Sequence, residues 1–340
     1  RMAEDSRRSP VNILTRGGFT MEKTTQPKSP KTVKWALFFV LSFFLIWPLT
    51  IGLYWLVYKG YTAIDPARFP WQQAPMSVKL KKMSPGLSEA EKGVFMTTAL
   101  SNRLECELES TLGWSVNDLI LSPTRYLDNR AYRQRGVIFA TRMLMTFFST
   151  NLAKYGTVDV ENEMLKEARE KYFAFSEDSW WFPSSEGEYK KGIDLLREYE
   201  KQLLAGKAVY NMRTDDMYNF LTFITGEQVL DQPLGLLVQT NAEVPYTKLD
   251  DRIYYTQGVV LVLRDFLRTF VALYPEIKEK GGEENIKIAF RDMEQICTFD
   301  PLIVMRGDHD AILADHRGKM ARYLISMRER VNDLSQSIRR

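Results

Sequence analysis

Chemistry in this chain would have to come from few side chains. The segment Asp178-Ser179-Trp180-Trp181-Phe182-Pro183-Ser184-Ser185-Glu186-Gly187-Glu188-Tyr189 sets carboxylates beside large aromatics. Paired carboxylates between aromatic walls hydrolyse glycosidic bonds, one as acid and one as base or nucleophile. Asp178 with Glu186 or Glu188 is the pair that such a reading selects. The same residues also have a structural explanation. Ser185 and Glu188 carry capping-box spacing, and Trp180 and Trp181 would pack a loop onto the helices around it.

The two histidines, His309 and His316, lie seven residues apart with Asp308, Asp310 and Asp315 nearby. Helical metal pairs sit four apart, as in H-E-x-x-H, and that motif is absent. His316 also falls on an apolar helix seam, which favours a packed histidine over a metal ligand. With 2 Cys and 2 His there is no Cys-rich zinc site and no iron–sulfur cluster. Cys106 and Cys297 fall near the ends of separate helices. Export would place them in an oxidising compartment, where a disulfide between them is geometrically possible; the alternative is a pair of isolated small apolar residues. No nucleophile-elbow, Walker or dinucleotide motif occurs, and no cofactor is expected.

The elements that must position these residues begin with a membrane-like segment. Trp35 to Tyr58 is free of charge, about as long as the roughly 20 residues that cross a bilayer as a helix. Its fourteen Leu, Ile, Phe and Val residues sum to roughly −4 to −8 kcal/mol of insertion free energy. Trp35 at one end, with Tyr54, Trp55 and Tyr58 at the other, matches an aromatic belt, and Pro48 predicts a kink. The segment is too long for the apolar core of a cleaved signal peptide and lacks a small-residue cleavage site, so it reads as an uncleaved signal anchor.

Charge sets the orientation. Residues 1–34 carry eight Lys/Arg against three acids, and residues 59–340 carry 38 basic against 40 acidic groups. The basic excess therefore sits in a tail before the span, with Lys59 and Arg68 the only cations close behind it. The positive-inside rule keeps the N-terminus in the cytoplasm and exports residues 59–340 to the periplasm of a bacterial inner membrane. The exported part is not basic, which argues against nucleic acid as a partner. Arg16-Gly17-Gly18-Phe19-Thr20-Met21 matches what a purine-rich ribosome-binding tract ahead of a start codon would encode. Residues 1–20 are thus either translated leader or part of a disordered cytoplasmic tail.

Residues 59–87, with Pro66, Pro70, Pro75 and Pro85, read as a stalk. From Ser88 onward the pattern is helical: 88–111, 129–155, 159–173, 185–206, 214–229, 250–274, about 282–298 and 308–337. Residues 230–250, with Pro233, Gly235 and Pro245, read as a loop. No run alternates with period two, so the fold class is all-α: seven or eight bundled helices after one transmembrane helix. The apolar segments 136–153 and 250–274 are interrupted by Arg142 and by Arg264, Asp265 and Arg268, and they read as bundle core. Leu313, His316, Met320, Leu324, Met327, Val331, Leu334 and Ile338 follow three-and-four spacing. That seam serves either the bundle or a partner, whether another envelope protein or a second copy.

The stretch Asp178 to Ile193, the Leu127-Asp128-Asn129 turn, and Asp315-His316 with Met320, Ala321 and Tyr323 together resemble an uncharacterised bacterial membrane-anchored family, a domain of unknown function (DUF2333-like). The resemblance spans most of residues 60–338. It implies a single N-terminal span before a helical domain and assigns no activity. The functional expectation is a non-enzymatic scaffold or adaptor in an envelope complex, with a cell-wall glycan hydrolase or a periplasmic ligand sensor as alternatives.

Overall fold

A computed structural model describes residues 30–62, 86–110, 112–119, 122, 128–154, 161–239, 244–278, 282–301, 303–307 and 312–339. The basic tail up to residue 29 and residues 63–85 of the expected stalk lie outside the described residues, and so do Met21 and His309.

The first helix, α1, runs over Pro30–Thr62 and passes through Pro48 without interruption. It therefore takes in the end of the expected tail and the first residues of the expected stalk. Its stretch Val33–Leu56, with mean hydropathy 2.3, is the one helix among the described residues long and apolar enough to cross a membrane. At 1.5 Å per residue, that stretch is about 36 Å long, against a hydrocarbon core of about 30 Å. Trp35 and Trp55 are exposed on it, and the Tyr58 side chain lies outside the described residues.

The rest of the described chain is helical, with a single isolated bridge between Arg306 and Asp315 in place of any strand. Helix α2 (Glu89–Glu109) opens on a capping box: Ser88 accepts from the Glu91 amide, and the Glu91 carboxylate accepts from the Ser88 amide at 2.8 Å. Then come α3 (Asp128–Phe147), α4 (Glu163–Glu167), α5 (Ser185–Leu204), α6 (Thr214–Thr225), α7 (Gln232–Val238), α8 (Leu249–Leu273), α9 (Glu283–Cys297) and α10 (His316–Arg339). Each helix expected after the stalk has a counterpart, and the fold is all-α.

Four local readings are corrected. Residues 232–238, expected as loop, form α7, because Pro233 sits in its first turn, where a missing N–H leaves no bond unmade. Helix α5 is capped by Ser184, whose hydroxyl accepts from the Gly187 amide at 3.2 Å, and not by Ser185. Helix α6 is braced at its start by the Asp216 carboxylate on the Arg213 amide at 3.0 Å, with Thr214 already inside the helix. Helix α10 begins at His316 and not at residue 308, after the Asp315 carboxylate caps the Gly318 amide at 2.8 Å.

Helix α8 runs through the centre of the bundle, with 20 of its 25 residues buried. That burial explains its apolar sequence without a membrane. Its main partner is α3, and the two cross with Gly136 and Gly258 at the contact. Helix α9 packs on α8 and α10, helix α10 on α6 and α7, and α2 joins α5 to α8. An aromatic cluster joins three of these helices: the Phe220 ring on α6 lies 5.2–5.4 Å, centroid to centroid, from Phe147 on α3 and from Phe266 and Phe270 on α8.

Candidate functional site

The segment that held the sequence's carboxylates and aromatics is a braced surface loop. The chain leaves α4 through a π-helical turn, Ala168–Phe173, and enters α5 at Ser185. Carbonyls freed where a helix ends need donors. Arg142, the lone charge in the apolar run of α3, supplies them: its guanidinium donates to the Phe173 carbonyl at 2.5 Å and to the Phe175 carbonyl at 2.6 Å. It also donates to the Glu177 carboxylate at 3.1 Å and the Tyr189 hydroxyl at 3.2 Å. Burial pushes the Tyr189 hydroxyl pKa up, against the pull of Arg142, so the phenol stays neutral and donates to Phe175.

The far side of the loop is fastened as firmly. Trp114 donates its indole N–H to the Glu177 carbonyl at 3.1 Å and sets its ring edge-on to Tyr189. The Ser179 carbonyl accepts from three donors: the Asn117 amide at 2.7 Å, the Ser185 backbone N–H at 3.0 Å and the Ser185 hydroxyl at 3.0 Å. Ser179 in turn donates its hydroxyl to the Pro183 carbonyl at 2.8 Å. The loop's backbone polar groups are thus tied down by α3, α5 and the 114–117 segment.

What this frame presents is apolar. Trp180 is 54% exposed, Trp181 70% and Phe182 91%, with the two indoles edge to face at 5.2 Å. The expected packing of these indoles onto the bundle is therefore corrected. The frame holds them out because the loop's base is fixed by polar bonds and needs no aromatic cover.

The three carboxylates proposed for glycan cleavage are structural in this geometry. Asp178 accepts from Arg135 at 2.6 Å, Glu186 from Asn117 at 3.0 Å and Glu188 from Lys191 at 2.6 Å. Asp178 and Glu186 thereby tie the loop and α5 to α3 and the 114–117 segment, and Glu188 pairs within α5.

His316 is the first residue of α10, and the other candidate ligand, His309, lies outside the described residues. The Nδ1 of His316 accepts from the Met305 amide at 3.0 Å, and its ring stands edge-on to Phe299. Among the described residues no group of three His, Cys, Asp or Glu could hold a metal ion. Cys106 and Cys297 are free thiols. Burial pushes each up to about 11, despite nearby Arg103 and Arg264 respectively.

The C-terminal seam is closed inside the domain. Met320, Leu324, Met327, Val331, Leu334 and Ile338 are buried in the bundle, where α10 meets α6, α7 and α9. Leu313 precedes the helix and is 57% exposed, so it does not belong to the seam. The reading of that seam as a partner surface is corrected: a neighbour inside the same domain already fills it.

A buried ion network that no local sequence pattern announces ties α2, α8 and α9 together. Arg103 donates to Asp265 through Nε at 3.1 Å and through a second, shorter bond, and Arg264 reaches the other Asp265 oxygen at 3.0 Å. Arg264 and Arg268 both reach Glu294, at 3.4 and 3.3 Å. Burial alone would raise the Asp265 carboxyl, but the two guanidiniums override it and hold the carboxyl below its usual range. A surface cleft of about 570 Å³ beside Glu294 is lined by Arg268, Phe290 and Arg291. In it, Arg268 is taken up by Glu294 and by stacking on Phe290.

An all-α protein with a long apolar N-terminal helix and a braced aromatic loop is the class these observations define. The chain belongs to the DUF2333 family, described as an uncharacterized protein conserved in bacteria, whose model matches residues 28–240. The match takes in α1 and the aromatic loop and stops after α7, so the Asp315 to Tyr323 part of the resemblance lies beyond it. No curated protein and no solved structure gives a significant match.

Proposed function

We propose that this protein is a single-pass bacterial inner-membrane protein whose periplasmic helical domain serves as a non-enzymatic scaffold or adaptor in an envelope complex. The length and apolarity of Val33–Leu56 support the anchor. The lysines crowded before the span, against two cations behind it, support a cytoplasmic N-terminus.

One observation carries the choice of binding over catalysis. The segment richest in candidate catalytic groups spends every one of its candidate carboxylates on bracing, while it displays Trp180, Trp181 and Phe182 to the surroundings. Exposed aromatics on a rigid frame suit binding, to a protein or to a lipid surface alike, because little conformational freedom is lost when they are covered.

The test pairs two measurements on the full-length protein. Crosslinking in cells, followed by mild-detergent capture, should recover the same envelope proteins from the intact chain and none from a control retaining residues 21–87. Incubation with peptidoglycan should release no muropeptides. Muropeptide release that Glu186→Gln abolishes would replace the scaffold reading with the hydrolase.

A further inference from the structure

The aromatic tip also has a chemistry of its own. Two indoles and a phenyl ring, at 54%, 70% and 91% exposure, leave on the order of 400–500 Å² of ring surface in water, given roughly 150–250 Å² for each aromatic side chain. An apolar patch of that size on a soluble domain marks an interaction site. Exposure rises along the loop to Phe182. Three adjacent rings this open need a partner that closes around them, which a lipid interface does and a packed protein surface does only with a matching pocket.

Composition and charge agree with lipid. Tryptophan is enriched at the headgroup level, where its ring is buried and its N–H stays hydrated. The frame around the tip sets Glu177, Asp178, Glu186 and Glu188 against Arg135, Arg142, Lys190 and Lys191, so its net charge is near zero. That suits a headgroup layer bearing both signs and gives no strong attraction to a polyanion. Finally, 23 residues separate Thr62 from Gly86, a reach of about 80 Å at most. A membrane anchored through α1 would therefore tether the helical domain from Gly86 onward at that reach, where even a weak insertion is favoured by effective concentration.

We propose that the Trp180–Trp181–Phe182 tip inserts into the headgroup layer of the bilayer that holds the chain's own apolar helix, and thereby fixes the face that the helical domain turns to the membrane. The proposal rests on the anchor reading above. Its test separates the two.

The full-length chain is reconstituted in phosphatidylcholine vesicles, as three variants labelled with an environment-sensitive fluorophore: Phe182→Cys in the tip, Lys201→Cys on the exposed side of α5, and Leu45→Cys in α1. Labelling of the parent chain corrects for Cys106 and Cys297. Brominated lipid in the same vesicles should cut emission from the tip label about twofold, as expected for a depth of roughly 5–10 Å, and leave the Lys201 label unchanged. Brominated lipid confined to added protein-free vesicles should quench neither. Adding Trp180→Ala and Trp181→Ala should abolish quenching at the tip.

Quenching at Leu45 with none at Phe182 overturns the insertion and leaves the anchor standing. The same result, with a photocrosslinker at Phe182 capturing one protein in cells, gives the tip to a protein partner. No quenching at Leu45 overturns the anchor and the insertion together. Quenching of the tip only by lipid in the added vesicles assigns it to a different membrane and overturns the proposal as stated.

Discussion

The crossing of α3 and α8 offers the sharpest quantitative test of the fold, through Gly258→Ala. A Cβ on Gly258 would overlap the Arg133 carbonyl oxygen and fall 2.9 Å from both the Arg133 carbonyl carbon and the Val137 nitrogen. Gly136 meets the reciprocal wall, the Tyr255 carbonyl, with the Val259 nitrogen at 2.9 Å. Every one of these atoms is backbone, so no side chain can rotate out of the way, and relief requires moving two central helices apart by on the order of 1 Å. Overpacking in a core costs about 1–3 kcal/mol, and the backbone character puts this site at the upper end. Alanine's better helix propensity returns about 0.5–1 kcal/mol. The expected net loss is about 2 kcal/mol.

Denaturant unfolding of the full chain in mild detergent, followed by far-UV circular dichroism, measures it as a lowered midpoint at unchanged slope. Gly235→Ala is the internal control, because a Cβ there meets nothing within 4 Å inside α7. It should be neutral or up to about 1 kcal/mol stabilising. Gly136→Ala combined with Gly258→Ala should lose about 1 kcal/mol less than the sum of the single variants, since the first alanine already separates the helices. A Gly258→Ala chain as stable as the parent, or a strictly additive double variant, would refute the close crossing.

Further expectations concern the loop, a histidine and the thiols. Arg142→Ala removes four donated hydrogen bonds from a side chain that is 24% exposed. It should destabilise by about 2–3 kcal/mol and open residues 176–184 to limited proteolysis, and Arg142→Lys should not rescue, because an ammonium cannot serve four separated acceptors. Proteolysis at the parental rate would show that the loop is held by other contacts.

His316 titrates below its usual value, first through burial and then through Lys319, with Asp315 opposing. The unfolded chain therefore binds the proton first. The stability that depends on this group is intact above about pH 6.5 and is lost as pH falls from there through the folded-state value. His316→Gln should flatten that part of the stability–pH curve, and an unchanged curve would exclude His316 as its source. Cys106 and Cys297, raised from 9.0 to about 11, should hold about 100-fold less thiolate than an unshifted thiol at neutral pH. Iodoacetamide labelling of the folded chain should be correspondingly slow, and rapid labelling of Cys297 would contradict its burial.

The division between what the sequence determined and what the tertiary structure decided follows the range of the physics. Helix existence is local: three-and-four spacing, the Ser88 and Glu91 box and the stop at Pro275 each act within one or two turns, and all are visible in order along the chain. The length and apolarity of α1 are local as well. Errors arose where two local signals competed. Ser184 and Ser185 both offer a cap, and only the fold sends the Ser185 hydroxyl back to the Ser176 and Ser179 carbonyls, leaving Ser184 to the helix. Pro233 read as a breaker because nothing in its neighbours says that a helix begins there.

The use of the 178–188 segment was legible only as a trace. Its partners Trp114, Asn117, Arg135 and Arg142 come from as far as about 70 residues away, and their pairing is set by the α3–α8 crossing and the docking of α5. One trace of it was present: Arg142 stands alone in an otherwise uncharged run, and a lone buried-side arginine needs acceptors that the sequence does not name. Likewise the seam of α10 is legible as a pattern, but whether it faces the same chain or another is decided only by which helices reach it first. Periodicity fixes a face, whereas long-range packing fixes what covers that face, and here packing covered the seam and left the aromatic tip open.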